Sequence, residues 1–130
     1  MDKKPLILCI DDEPGILKCL ERCLLLADYD VLKAGSGHEG MVLLDGCQGK
    51  VDLIIVDQRM PEITGDEFLK QVKERYGDIA AIMLSGYAEL GDLMPAFHAG
   101  DIYRFIAKPW DNDELLTVIK SAMRLTHGGV

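Results

Sequence analysis

The sequence predicts an α/β fold of the doubly wound type, in which helices cover both faces of a five-stranded parallel sheet. Short apolar runs alternate along the chain with segments of helical periodicity, which is the pattern of repeated strand–helix units. The runs at residues 6–10, 53–56 and 79–84 are continuously apolar, as expected for strands that are buried on both faces. Together these two observations predict a parallel sheet with both faces covered.

Five strands are expected, and polar residues that interrupt the second one place it at an edge of the sheet. The strands are predicted at residues 6–10, 29–34, 53–56, 79–84 and 102–107. The first helix is predicted to begin near Pro14. The other four are predicted at residues 39–44, 66–76, 88–100 and 113–125. Gly91 and Pro95 lie in the fourth helix, and an internal proline costs about 3 kcal/mol, so we expect this helix to be the weakest.

Length, composition and charge narrow the range of functions. A chain of 130 residues is one domain, and 48% hydrophobic residues are enough for a core and exclude intrinsic disorder. The 22 acidic residues outnumber the 14 basic ones and give a net charge of −8. A surface this acidic repels phosphate groups, so we expect no direct contact with nucleic acid or with an anionic membrane.

Targeting signals and cysteine spacing bear on the compartment. No apolar run approaches the ~20 residues that span a bilayer, and the N-terminal residues do not resemble a signal peptide. The four cysteines have no metal-binding spacing, and reduced, partly buried thiols are the simplest interpretation. These features predict a cytoplasmic protein.

Charged and polar residues follow four of the predicted strands at the points where the strands end. These residues are Asp11, Asp12 and Glu13 after the first strand, Asp57 after the third, Ser85 and Gly86 after the fourth, and Lys108 and Pro109 after the fifth. Ligands of parallel α/β sheets bind at the carboxyl ends of the strands. We therefore expect three aspartates, a hydroxyl group and a lysine to meet at one edge of the sheet.

This set of residues suits phosphoryl transfer that depends on a divalent cation. Three converging carboxylates repel one another, and a hard cation such as Mg²⁺, or Mn²⁺ in its place, would neutralise them. A lysine and a hydroxyl group opposite the metal would bind the remaining phosphoryl oxygens. One carboxylate could itself act as the nucleophile and form an aspartyl phosphate.

Four short motifs carry a resemblance to a known family. They are Ile-Asp-Asp-Glu-Pro at 10–14, Asp-Gln-Arg-Met-Pro at 57–61 with Gly65, Leu-Ser-Gly at 84–86 and Ala-Lys-Pro-Trp at 107–110. Because these motifs occur in order at strand ends, the chain from Leu6 to about Leu125 resembles the receiver domain of two-component response regulators. The resemblance implies a flavodoxin-like sheet of order 2-1-3-4-5 flanked by five helices. It also implies a receiver domain over residues 1–126, with a tail or the start of a linker at 127–130.

The resemblance gives roles to the acidic residues. Asp57 corresponds to the phosphoacceptor, which attacks a phosphohistidine of a sensor histidine kinase. Asp12 would bind Mg²⁺ directly and Asp11 through water. The carboxylate of Asp57 and the backbone carbonyl of Arg59 would complete the protein's share of the metal ligands.

The resemblance gives further roles to residues near the fourth and fifth strands. Ser85, Gly86 and Lys108 would bind the phosphoryl group, and the peptide bond between Lys108 and Pro109 would be cis. Ser85 and Phe105 correspond to the pair that moves on phosphorylation and alters the surface of the fourth helix, fifth strand and fifth helix. That surface would contact an output domain, a partner protein or a second copy of the domain.

Two bulky residues occupy positions that modulate the lifetime of the phosphorylated state in this family. They are Arg59, two residues after Asp57, and Tyr87, two residues after Ser85. Both could screen the phosphoryl group from water, so we expect slow autodephosphorylation. The chain would then be a phosphorylation-controlled switch rather than an enzyme with turnover.

The same residues leave other interpretations open. The acidic run at 11–13 suits a helix N-terminus, and Ser85 and Lys108 could each have an ordinary structural role. Residues 35–40 match the G-x-G-x-x-G pattern of dinucleotide binding, with Asp57 about 20 residues further on. A phosphatase of the haloacid dehalogenase type needs an acid two residues after its nucleophile, where this chain has Arg59. A receiver that binds partners without being phosphorylated would not need the full set of acids.

Overall fold

The computed structural model describes residues 4–86 and 102–126, and within them it contains one five-stranded parallel sheet. The strands are β1 (Leu6–Ile10), β2 (Asp30–Ala34), β3 (Leu53–Asp57), β4 (Ala81–Ser85) and β5 (Arg104–Ala107). Their order is β2-β1-β3-β4-β5, which confirms the predicted topology and the edge position of the second strand.

Four helices lie within the described residues. They are α1 (Pro14–Leu26), α2 (Gly37–Gly46), α3 (Gly65–Tyr76) and a C-terminal helix (Asn112–Thr126). Pro14 begins α1, where its missing N–H costs no helical hydrogen bond. The helix predicted at residues 88–100 lies outside the described part of the chain.

Two apolar clusters cover the faces of the sheet, and the central strands contribute to both. Along β3, Ile54 and Val56 belong to the cluster that contains α2 and α3, whereas Leu53 and Ile55 belong to the cluster with α1 and the C-terminal helix. All four side chains have no exposed surface. The continuous apolar runs therefore arise because both faces of the central strands are buried, as predicted.

The register of the sheet brings the carboxyl ends of its central strands to one edge. Ile10 pairs with Val56, Asp57 pairs with Leu84, and Ser85 pairs with Ala107. β3 and β4 each run one residue further than the apolar pattern predicts. The extra residues are polar, and backbone pairing rather than hydrophobicity keeps them in the strands.

The cysteines and the helices bear on the predicted compartment. All four cysteines are free thiols, and Cys9 and Cys23 are buried while Cys47 is half-buried. Cys19 is exposed, which differs from the partial burial predicted for it. Among the described helices, none has both the length and the apolar character needed to cross a bilayer.

Candidate functional site

Two buried carboxylates and one ammonium group meet at the carboxyl edge of the sheet. Asp11 follows β1 and is only 1% exposed. Asp57 ends β3 and is 6% exposed. The Nζ atom of Lys108 lies 2.9 Å from Oδ2 of Asp11 and 3.2 Å from Oδ1 of Asp57. The backbone N–H of Lys108 donates to the carbonyl of Ser85 at 3.0 Å, which ties the residue after β5 to the end of β4.

A third carboxylate completes an acidic cluster. Asp12 is exposed in the loop between β1 and α1, and one carboxylate oxygen from each of Asp11, Asp12 and Asp57 lies within 4.8 Å of the others. Carboxylate oxygens are the ligands that Mg²⁺ takes from proteins, and one face of the cluster is open to solvent. The donor set therefore fits a hard divalent cation.

The charges around Asp57 are not balanced in the protein alone. Burial, followed by the negative charge of Asp11, raises the pKa of the Asp57 carboxyl above its ordinary value, although Lys108 and the backbone N–H of Arg59 act in the opposite direction. Burial lowers the pKa of the Lys108 ammonium, but Asp11 and Asp57 together outweigh it and raise the pKa overall. One lysine thus serves two buried acids, and the site has an excess of negative charge.

Ser85 presents a buried hydroxyl group at the same edge. The residue is 2% exposed, and its Oγ atom has no hydrogen-bond partner among the described residues. A buried hydroxyl group without a partner carries a cost that folded proteins usually avoid. The hydroxyl group lies at the end of β4, beside the end of β3 where Asp57 lies.

The acidic run at residues 11–13 does not cap α1 with a side chain. Glu13 is the N-cap residue but makes no side-chain capping hydrogen bond. Asp11 accepts from the backbone N–H of Glu13 at 2.9 Å through Oδ1, while its other oxygen faces Lys108. A capping role therefore accounts for one carboxylate oxygen of Asp11, but it does not account for the positions of Asp57 and Lys108.

The loop from β3 to α3 is held by Gln58, which sequence reasoning missed. Its side-chain amide donates to Oδ1 of Asp66 at 2.9 Å and accepts from the backbone N–H of Asp66 at 3.0 Å. The backbone carbonyl of Gln58 accepts from the backbone N–H of Gly65 at 3.1 Å. The spacing of Gln58 and Asp66 gives no periodic signal, because the contact depends on the path of the loop between them.

The other predicted residues lie close to this edge or outside the described chain. Arg59 is exposed on the β3–α3 loop, and Gly86 directly follows Ser85. Phe105 is half-buried in β5 and packs against the cluster that contains α2 and α3. The Lys108–Pro109 peptide bond is cis, as the resemblance implied. Tyr87 lies outside the described residues.

The G-x-G-x-x-G run has a structural explanation. A Cβ atom at Gly37 would lie 2.4 Å from Cγ2 of Ile63, and one at Gly40 would lie 2.7 Å from Cδ1 of Ile10. Ser36 accepts from the backbone N–H of Glu39, and the carboxylate of Glu39 accepts from the backbone N–H of Gly35. Two of the glycines thus allow close packing of α2, and the polar residues cap the helix.

Comparison with known proteins agrees with the fold. Residues 7–120 match the family model of the response regulator receiver domain. The chain is 38% identical over 122 residues to the hydrogenase transcriptional regulatory protein HoxA of Cupriavidus necator, a match that covers 94% of this chain and 25% of HoxA. It is 35% identical over 124 residues to the transcriptional regulatory protein GlrR of Escherichia coli, covering 95% of this chain and 27% of GlrR.

Solved structures agree as well. A response regulator receiver domain protein from Clostridium thermocellum superposes with a TM-score of 0.89 at 28% sequence identity, over 95% of this chain and 97% of that one. The present chain spans about a quarter of the length of the two curated relatives. The family match, the strand order and the acidic edge with its lysine agree, and the chain belongs to the response regulator receiver domain family.

Proposed function

We propose that this receiver domain accepts a phosphoryl group on Asp57 in a Mg²⁺-dependent reaction and controls an output domain or partner through the change that follows. The observation that carries the proposal is the surroundings of Asp57. Two further carboxylates, Asp11 and Asp12, lie beside it, and Lys108 contacts it. The hydroxyl group of Ser85, which has no hydrogen-bond partner among the described residues, ends the neighbouring strand. The phosphodonor would be a phosphohistidine of a sensor histidine kinase.

The residues that would hold Mg²⁺ are Asp11, Asp12, Asp57 and the backbone carbonyl of Arg59. Mn²⁺ has the same preference for oxygen ligands and could take its place. Bound there, the cation would neutralise negative charge on the phosphoryl oxygens during transfer. The excess of carboxylates over ammonium groups at this edge supports the assignment, because three carboxylates lie together and Lys108 contacts two of them.

Asp57 would act as the nucleophile. One of its carboxylate oxygens forms a bond to phosphorus while the bond from phosphorus to the histidine nitrogen breaks, and the electron pair of that bond remains on the imidazole. Lys108 lies 3.2 Å from Asp57 and would move its contact to a phosphoryl oxygen. Ser85 and the backbone beside Gly86 would bind another oxygen of the phosphoryl group.

The switch would run from Ser85 to Phe105. The Oγ atom of Ser85 has no partner to give up among the described residues, so the hydroxyl group can turn toward the phosphoryl group at little cost. Phe105 is half-buried one strand away in β5 and would move with it. The surface formed by the fourth predicted helix, β5 and the C-terminal helix would then contact the output domain, a partner or a second copy of the domain.

The phosphorylated state would be long-lived. Arg59 is exposed beside Asp57, and Tyr87 is two residues after Ser85, so both could restrict the approach of water to the phosphoryl group. No acid stands at the position of Arg59 to activate a hydrolytic water, which disfavours the phosphatase alternative. The domain would act as a switch that hydrolyses its own phosphoryl group slowly.

The extent, location and partners of the domain belong to the same proposal. The receiver would occupy residues 1–126, with residues 127–130 as a tail or the start of a linker to an output. The four free cysteines support a cytoplasmic location. The net charge of −8 disfavours direct contact with nucleic acid, and the proposed partners are a sensor histidine kinase and an output domain or partner protein.

Labelling with acetyl phosphate tests the function. Purified domain should become phosphorylated once per molecule in the presence of Mg²⁺, and EDTA should prevent labelling. Asp57→Asn should abolish labelling, whereas Asp78→Asn, at an exposed acid before β4 on the opposite edge of the sheet, should leave it unchanged. Retained labelling in Asp57→Asn would move the acceptor to another carboxylate. Release of many equivalents of phosphate in a short time would indicate an enzyme instead.

A further inference from the structure

We infer that Gln58 and Asp66 form a clamp that positions the metal-binding carbonyl of Arg59, so that Gln58 is a positioning residue for Mg²⁺ binding. The inference rests on the proposed function and extends it to a pair of residues outside the metal ligands. It concerns the seven-residue loop, residues 58–64, that joins β3 to α3.

Gln58 holds both ends of this loop. Its backbone N–H donates to the carbonyl of Leu84 at 3.3 Å and continues the pairing of β3 with β4. Its backbone carbonyl accepts from the backbone N–H of Gly65, and its side chain makes two hydrogen bonds with Asp66. One residue thus connects the end of β3, the end of β4 and the first turn of α3.

The side-chain amide is suited to this contact because it offers a donor and an acceptor side by side. Nε2 donates to the Asp66 carboxylate, while Oε1 accepts from the Asp66 backbone N–H. Gln58 is only 9% exposed, so its amide has little access to water and depends on these partners. An apolar side chain of similar size would leave Asp66 without both contacts.

Arg59 connects the clamp to the proposed metal site. It directly follows Gln58, its backbone N–H donates to the Asp57 carboxylate, and its carbonyl is the proposed metal ligand. A shift of Gln58 would therefore move a hydrogen-bond donor to Asp57 and a metal ligand at once. Removal of a group that orients a metal ligand in this way typically lowers the metal affinity about 10–100-fold.

The test compares metal affinity in three variants with the wild type. Gln58→Leu removes both side-chain hydrogen bonds. The double variant Gln58→Glu with Asp66→Asn keeps the net charge and reverses the donor and acceptor, since the asparagine amide can donate to the new carboxylate. Thr117→Val is the control, because it removes one exposed side-chain hydrogen bond, from Thr117 to the carbonyl of Asp113, in the C-terminal helix on the other face of the sheet.

Mg²⁺ affinity is measured by calorimetry or by competition with Mn²⁺ observed by electron paramagnetic resonance, and folding is checked by urea denaturation. We expect Gln58→Leu to bind Mg²⁺ about tenfold more weakly, with the exchanged pair and Thr117→Val within about twofold of wild type. Labelling by acetyl phosphate at saturating Mg²⁺ should change much less than the affinity does.

Three results would overturn the clamp. These are an unchanged affinity in Gln58→Leu, an equal loss in Thr117→Val, and a folded exchanged pair that fails to recover affinity. Failure of the proposed function is distinguishable from all three, because the wild-type domain itself would then neither bind Mg²⁺ nor become labelled.

Discussion

Replacement of Gly65 by alanine should directly disturb Asp57, the proposed phosphoacceptor. Gly65 is the first residue of α3, and a Cβ atom there would lie 2.6 Å from the carbonyl oxygen of Asp57 and 3.0 Å from the end of the Met83 side chain. Ordinary van der Waals contact begins at 3.4 Å, so the methyl group requires a movement of almost 1 Å. The Met83 side chain can rotate away, but the Asp57 carbonyl belongs to the backbone of a paired strand.

The expected cost follows from this overlap. Overpacking against a fixed neighbour costs about 1–3 kcal/mol, and the preference of helices for alanine over glycine returns at most about 1 kcal/mol. We therefore expect Gly65→Ala to lower the free energy of unfolding by about 1–2 kcal/mol. This loss corresponds to a fall in Tm of roughly 4–8 °C for a domain of this size. Displacing Asp57 should also slow labelling by about tenfold or more, since a misplacement of about 1 Å can cost about 100-fold in rate.

Urea denaturation and the rate of acetyl phosphate labelling at saturating Mg²⁺ check the two effects separately. Gly15→Ala is the control for the substitution itself, because nothing lies within 4 Å of a Cβ atom there, and it should be neutral or slightly stabilising. Gly40→Ala is the control for destabilisation, because its Cβ atom would meet Ile10 and Phe68 instead of Asp57. The reasoning is refuted if Gly65→Ala is as stable as wild type, or if Gly40→Ala slows labelling as much.

Four further predictions concern the site and its loop. Burial raises the pKa of the Asp66 carboxyl, but hydrogen bonds from Thr64 and Gln58 outweigh burial and lower it overall. The ionised carboxylate therefore stabilises the fold above the unfolded pKa of about 3.9, and this contribution disappears as pH falls through the lower folded pKa. The stability difference between wild type and Asp66→Asn in urea should accordingly shrink as pH falls below about 4. Lys108→Ala leaves two buried acids without their ammonium group and should lower the free energy of unfolding by about 2–4 kcal/mol without Mg²⁺, and a loss below the error of the urea titration would contradict the pairing. Ser85→Ala removes a buried hydroxyl group that has no partner within residues 4–86 and 102–126, so stability should stay constant or rise by about 1 kcal/mol while labelling slows. Arg59→Ala should shorten the lifetime of the phosphoryl group, measured as decay of the label after the donor is removed, and an unchanged lifetime would exclude screening by this side chain.

The meeting of Asp57 with Lys108 could be predicted although 51 positions separate them in the chain. In a parallel sheet every strand points the same way, so residues that follow different strands reach the same edge. Strand recognition alone was therefore enough to predict that the aspartates, the serine and the lysine lie together. The boundaries were less accurate, because Asp57 and Ser85 belong to their strands through backbone pairing that hydrophobicity does not reveal.

The clamp could not be predicted, because no periodicity relates Gln58 to Asp66. Their contact depends on a loop that returns to the strand it left, with the backbone N–H of Gly65 bonded to the Gln58 carbonyl. The glycines at positions 37 and 40 were ambiguous for the same reason. Only the packing of α2 against Ile63 and Ile10 shows that glycine is needed at these positions because a side chain would not fit, and not because a ligand binds there.

Residue type and chain order establish the layered α/β fold, the acidic edge and the kind of chemistry that suits it. They suffice because strand burial and strand direction are repetitive properties, which local patterns encode. Distances and charge balance required the folded chain: Lys108 is shared between Asp11 and Asp57, and the Ser85 hydroxyl group is buried with no partner in the described part of the chain. These features depend on which side chains meet across the sheet, and that is settled by packing of the whole domain rather than by any segment of it.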